Sequence, residues 1–140
     1  MSRSPATHAQ PRPRPLSPHL TIYRPKITMT TSILHRITGG ALYVGTLLVA
    51  LWLIAAATSK ETFDYVNWFF GTLIGRLILF GYTWALMLHM LGGIRHFIWD
   101  TGAALEKHTA SKLAWATVVG SVVLTIAVWV VGLIVRGGWA

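Results

Sequence analysis

The sequence predicts an all-α membrane protein with three transmembrane helices packed in a bundle. Composition and the spacing of charge carry that prediction. Of 140 residues, 54% are hydrophobic and only 11% charged, with seven Trp, which is not the make-up of a soluble globular domain. Three stretches, 37–59, 77–94 and 113–135, contain no Lys, Arg, Asp or Glu. At ~1.5 Å of rise per residue, such runs traverse a hydrocarbon core of ~30 Å. The middle run is the shortest, and residues 69–75 extend it when Arg76 snorkels to the headgroups.

Residues 1–26 read as a short Pro-rich arm on the cytoplasmic side. They are polar, carry Pro5, Pro11, Pro13, Pro15, Pro18 and Pro25, and have no apolar h-region, so no signal peptide is expected. A mitochondrial transit peptide is also Arg-rich, but it needs an amphipathic helix that these prolines oppose. The expectation is therefore a bacterial inner (cytoplasmic) membrane protein, with the mitochondrial inner membrane as the alternative. The anchor proper spans 27–140, with helices at about 30–58, 67–98 and 110–136. Within it, Gly71 and Gly75 fit the small-xxx-small pattern of close helix packing.

The formal net charge of +8 is explained by topology rather than by nucleic acid. Arg3, Arg12, Arg14, Arg24, Lys26 and Arg36 lie before or at the start of helix one, and Arg95, Lys107 and Lys112 flank the second loop. Only Lys60, Arg76 and Arg136 fall on the other side. Under the positive-inside rule, the N-terminus and the second loop face the cytoplasm. Trp68, Trp99 and Trp139 sit near helix ends, where indole rings favour the interface.

Absent residues exclude much chemistry. Without Cys there is no iron–sulfur cluster, thiolate nucleophile or covalently attached haem. No Gly-rich dinucleotide or triphosphate loop is present. The acids Glu61, Asp64, Asp100 and Glu106 lie outside the apolar runs, which argues against a carboxylate relay or a cation-coupled transporter.

Two blocks remain, and each puts titratable groups in or at the rim of a span, where they cost at least ~2.5 kcal/mol and mark functional paths. In the second block, His89 and His96 share a helix face about 10 Å apart along the axis. Gly92 and Gly93 lie between them on that face, with Ala85 a turn earlier. A neutral imidazole beside side-chain-free backbone suits a flat axially ligated group such as haem. The alternative is a histidine hydrogen-bonded to a neighbouring helix, with the glycines serving helix packing. In the first block, Ser32, His35 and Arg36 cluster on one face at i, i+3 and i+4. Helix two returns toward the cytoplasm, so Arg95 and His96 reach the depth of His35 and Arg36. Four potential cations then converge at one rim and invite an anion. Arg36 with Ser32 also suits a polar carbonyl such as that of a quinone. The alternative is that Arg36, Arg95 and Lys26 only snorkel.

Arg14-Pro15-Leu16, Leu20 and Ser32-x-x-His35-Arg36-x-Thr38 resemble the N-terminal signature of the cytochrome b subunit family of succinate dehydrogenase, the larger membrane anchor of complex II. His89-x-x-x-Gly93-Ile94-Arg95-His96-Phe97-x-Trp99-Asp100-x-Gly102 is similar to its second signature. Pro18-His19-Leu20 before Ile22-Tyr23 resembles the mitochondrial and alphaproteobacterial branch. The resemblance covers residues 14–136. It implies a non-catalytic anchor that partners a second, smaller three-helix anchor, a flavoprotein subunit and an iron–sulfur subunit, within a lipid bilayer and without nucleic acid. It further implies haem b shared between the two anchors, with His89 as axial ligand through the haem iron and His35, Arg36 and His96 near the propionates. Ser32 and Arg36 match the pair at the site of the substrate ubiquinone. A structural anchor that docks the soluble subunits without haem is the alternative.

Overall fold

The computed structural model describes residues 15–16, 19 and 22–137. Arg14, Leu20, Pro18 and Trp139, and most of the arm, lie outside the described residues. Four helices follow: α1 (Ile27–Thr58), α2 (Lys60–Gly71), α3 (Leu73–Asp100) and α4 (Lys107–Val135). Helices α1, α3 and α4 have mean hydropathies of 2.1, 1.6 and 2.7 over their most apolar windows and are long enough to span a membrane. Only 11–17% of those windows is buried within the chain, so most of their apolar surface is left for lipid or other subunits.

The first connection differs from a plain loop. A twelve-residue helix, α2, occupies it, and the spanning helix begins at Leu73 rather than near 67. Single residues make both breaks. Ser59 is extended, and its hydroxyl accepts from Thr62 N at 3.1 Å, the usual N-cap bond. Thr72 serves both helices it joins. Its Oγ1 donates to Phe69 O at 2.6 Å and accepts from Gly75 N at 3.2 Å. A Cβ at Gly75 would run into the Phe69 carbonyl, so glycine permits the corner. Gly71 and Gly75 therefore lie on different helices, and their closeness shapes a turn rather than one helix face. Half-buried Phe63, Val66 and Phe70 give α2 an inner stripe, while Tyr65 and Trp68 are 70% and 66% exposed. That two-sidedness suits a helix lying in the membrane interface.

Residues 101–106 connect α3 to α4, using positive φ at Gly102 and Ala104. The bundle interior is built from small residues. Ala85 and Leu88 of α3 are buried, as are Ala114, Thr117, Ser121 and Thr125 of α4. Small side chains let helices approach closely, which matters where lipid offers no hydrophobic drive for helix association. Tyr82 of α3 lies over Gly45 of α1 so closely that no Cβ fits there. Helix α3 packs most extensively against α4 and α1, and α1 and α4 also meet directly.

Candidate functional site: a histidine cluster between two spanning helices

The α1–α3 seam gathers ionisable side chains near the N-terminal end of α1 and the C-terminal end of α3. His35 and His89 stack face to face, centroids 3.9 Å apart and planes 5° from parallel. His96 stands 5.4 Å from His35, tilted by 49°. Two glycines make this possible. A Cβ at Gly39 of α1 would sit 3.1 Å from His89 Cε1, and one at Gly92 of α3 would collide with the His35 ring. Each imidazole therefore rests on a glycine of the opposite helix.

The strip around Gly92 is thus not open, as the sequence led us to expect: the His35 ring occupies the space the missing side chain leaves. Gly93 keeps its opening, with no atom within 4 Å of where a Cβ would stand.

Hydrogen bonding decides the tautomer of His89. Its Nδ1 lies 3.1 Å from the His35 carbonyl oxygen, which can only accept, so Nδ1 carries the proton. Thr38 Oγ1 is 3.4 Å from the same nitrogen, while its own hydroxyl donates to Leu34 O at 2.8 Å. The lone pair of His89 is left on Nε2, which makes no hydrogen bond among the described residues. His35 Nδ1 is buried without a hydrogen-bond partner among the described residues.

Arg95 does not snorkel. It is 2% exposed, its Nη1 donates to Thr31 Oγ1 at 2.7 Å, and its guanidinium lies 5.0 Å from the Trp99 ring centre. The Thr31 hydroxyl in turn donates to Thr28 O at 3.1 Å. Trp99 also meets His96 edge to face at 5.3 Å. It is therefore a wall of the cluster as well as a residue near a helix end. Arg36, by contrast, is exposed, and Ser32 is half-buried. Neither side chain has a hydrogen-bond or ion-pair partner among the described residues. The structure thus brings together His35, His89, His96 and Arg95, with Ser32 and Arg36 on the adjoining, more open face of α1.

A family profile described as succinate dehydrogenase/fumarate reductase transmembrane subunit matches residues 10–128. The succinate dehydrogenase cytochrome b556 subunit of Paracoccus denitrificans is 45% identical over 118 residues, covering 84% of this chain and 91% of that one. The chain belongs to this family. It is a membrane-anchor cytochrome b subunit of succinate dehydrogenase, a non-catalytic part of an enzyme complex. The cytochrome b556 subunit of Rickettsia conorii is 40% identical over 117 residues, with 84% and 91% coverage. The cytochrome b560 subunit of Marchantia polymorpha is 40% identical over 103 residues, covering 66% of this chain and 72% of that one.

Sequence reasoning about this anchor missed three participants. Thr38 stands in the first signature but had no role until its hydroxyl was found beside His89. Trp99 follows Arg95 by one helical turn, a spacing that allowed a cation–π contact to be anticipated. Thr31 carried no signal, because its importance depends on which way α1 is rotated against α3.

Proposed function

We propose that the histidine cluster is the cytochrome site of the anchor, and that the face of α1 beside it receives ubiquinone. The observation that carries the reading is the tautomer of His89. A metal-binding histidine commonly donates its other ring N–H to a carbonyl, which fixes the ring and raises its basicity. The bond from Nδ1 to the His35 carbonyl is of that kind and directs the Nε2 lone pair to a ligand. The donor chemistry of the site fits haem b: one neutral imidazole for the iron, with His35, Arg36 and His96 to meet the propionates. The orphaned His35 Nδ1 is a polar group left unanswered among the described residues, and the gap at Gly93 leaves room beside the backbone. When bound, haem b would supply a one-electron carrier within the bilayer, held jointly by this chain and the smaller anchor.

On the neighbouring face, Ser32 donates a hydrogen bond to a quinone oxygen. Arg36 then favours the negative charge that grows on that oxygen as electrons arrive. Their lack of partners among the described residues leaves both groups available. Arg95 holds Thr31 and so positions the turn of α1 that carries Ser32. Electrons reach this face from succinate through the flavoprotein and iron–sulfur subunits, which dock on the cytoplasmic side of a bacterial inner membrane. The nine basic residues on that side against three on the other support the orientation. A reporter at the N-terminus is expected inside, and one after Ala140 outside.

The test is the reduced-minus-oxidised spectrum of the assembled complex. In His89→Ala the b-type band is expected to vanish or to change strongly. An unchanged band would move the ligand to another residue and end this reading.

A further inference from the structure

Away from the histidine cluster, a second concavity lies between α1, α2 and α3. It has a volume of ≈570 Å³ and a bore lined by Leu48, Val49, Phe70, Ile78 and Leu79. Within it, Trp52 Nε1 donates to Asn67 Oδ1 at 3.1 Å, which ties α1 to α2. Arg136, just past the end of α4, lines this cavity and also an adjoining recess formed with Asp64, Asn67, Trp68 and Thr72. The two spaces share Asn67, Gly71 and Arg136, so they form one groove with an apolar bore and a polar mouth. Exposed Trp68 and Tyr65 on α2 mark that mouth as lying at the membrane interface.

Charge at the mouth is one-sided. Asp64 is the acid there, and Lys60 already pairs with it at 2.5 Å. Arg136 has no carboxylate within ion-pair distance among the described residues. Its planar guanidinium matches the geometry of a phosphate group, to which it donates two parallel bonds.

We propose that this groove binds one anionic phospholipid, with an acyl chain in the bore and the phosphate on Arg136. The lipid comes from the leaflet opposite the histidine cluster. The bore accepts hydrocarbon, and the mouth wants a negative charge. A neutral quinone leaves Arg136 unmatched, and a helix of another subunit has to bring its own carboxylate to that point. Bound this way, the lipid fills the gap between α2 and the spanning helices and fixes the corner at Thr72. The proposal does not depend on the histidine cluster.

The test uses the whole complex, stripped of lipid in mild detergent and titrated with phosphatidylglycerol or phosphatidylcholine, with bound molecules counted by native mass spectrometry. The parent complex is expected to hold one tight equivalent of phosphatidylglycerol, bound about tenfold more strongly than phosphatidylcholine, whose choline cation offsets the phosphate charge and is repelled by Arg136 and Lys60. Arg136→Gln should erase that preference. Gly71→Phe, which fills the bore where no atom now stands within 4 Å of a Cβ, should remove the tight equivalent altogether. Val49→Trp serves the same purpose if Gly71→Phe does not assemble. Subunit content and succinate oxidation with a soluble acceptor should match the parent throughout. The proposal is overturned if the parent holds no tight phosphatidylglycerol, if the preference survives Arg136→Gln, or if the molecule retained in the groove is a quinone.

Discussion

The two seams that α3 makes, one with α4 and one with α1, both bury polar side chains but treat them differently. On the α4 side, every buried hydroxyl is answered by its own helix. Thr117 donates to Leu113 O, Ser121 to Val118 O and Thr125 to Ser121 O, at 2.7–2.8 Å. Such side chains are small, locally satisfied, and allow close packing in lipid. On the α1 side, ionisable nitrogen is left over. His35 Nδ1 and Arg95 Nε are buried without partners among the described residues, as are the neutral indole nitrogens of Trp84 and Trp99, and a buried charge hangs on one threonine. An unsatisfied buried polar group costs about 1–3 kcal/mol, and packing alone gives no reason to keep one. Under the proposed function, the ionisable groups of the α1 side are held for a ligand, whereas the hydroxyls of the α4 side build the bundle.

Mutations should reproduce that contrast in graded steps. The largest effect belongs to the open face of α1. Arg36→Leu should lower quinone reduction by tenfold or more, and Ser32→Ala by about two- to tenfold, from the loss of a bond worth about 0.5–1.5 kcal/mol or more. Both should leave succinate oxidation with a soluble acceptor intact. Parallel loss of the two activities would signal failed assembly and withdraw the assignment.

Gly92→Ala comes next. Its methyl group would enter the His35 ring, so the cytochrome spectrum should shift although no ligand has changed. Gly120→Ala on the α4 seam is the control, because its methyl meets only the end of the Leu91 side chain at 3.1 Å. Equal spectral effects from the two would erase the distinction between the seams.

A matched pair of threonines gives the smallest and cleanest comparison. Thr31 and Thr125 are 2% and 1% exposed, and both can be replaced by Val at nearly constant volume. Thr31→Val strips a buried guanidinium of its acceptor and should destabilise the solubilised complex by about 1–3 kcal/mol. Thr125→Val removes only a bond to its own backbone and should cost no more than about 0.6 kcal/mol. Thermal melts of the two variants read the difference directly.

The three spans were legible in the sequence because hydropathy over eighteen or more residues decides them without any knowledge of packing. Helix α2 was not, since Phe69 and Phe70 continue the apolar run across the corner that Thr72 makes. At the site, His89, His35 and His96 stood out as titratable groups in or beside apolar runs. Their stacking did not, because helix rotation depends on Gly39 and Gly92 together, one on each helix. Arg95 was read as equally suited to snorkelling, and its burial depends on Thr31 and Trp99 closing over it. Convergence of four cations was expected, yet Arg36 stays on the outer face. Residue type and spacing identify which groups are costly, whereas the facing helix determines which of them meet.

The central claim is that His89 is held for ligation rather than for packing. The most direct test is His89→Gly in the assembled complex, followed by its absorption spectrum with and without added imidazole. The b-type, low-spin spectrum is expected to be lost in the variant and restored by imidazole, which replaces the missing ring. A normal low-spin spectrum without imidazole would contradict the claim, as would a lost spectrum that imidazole fails to restore while all subunits remain in place.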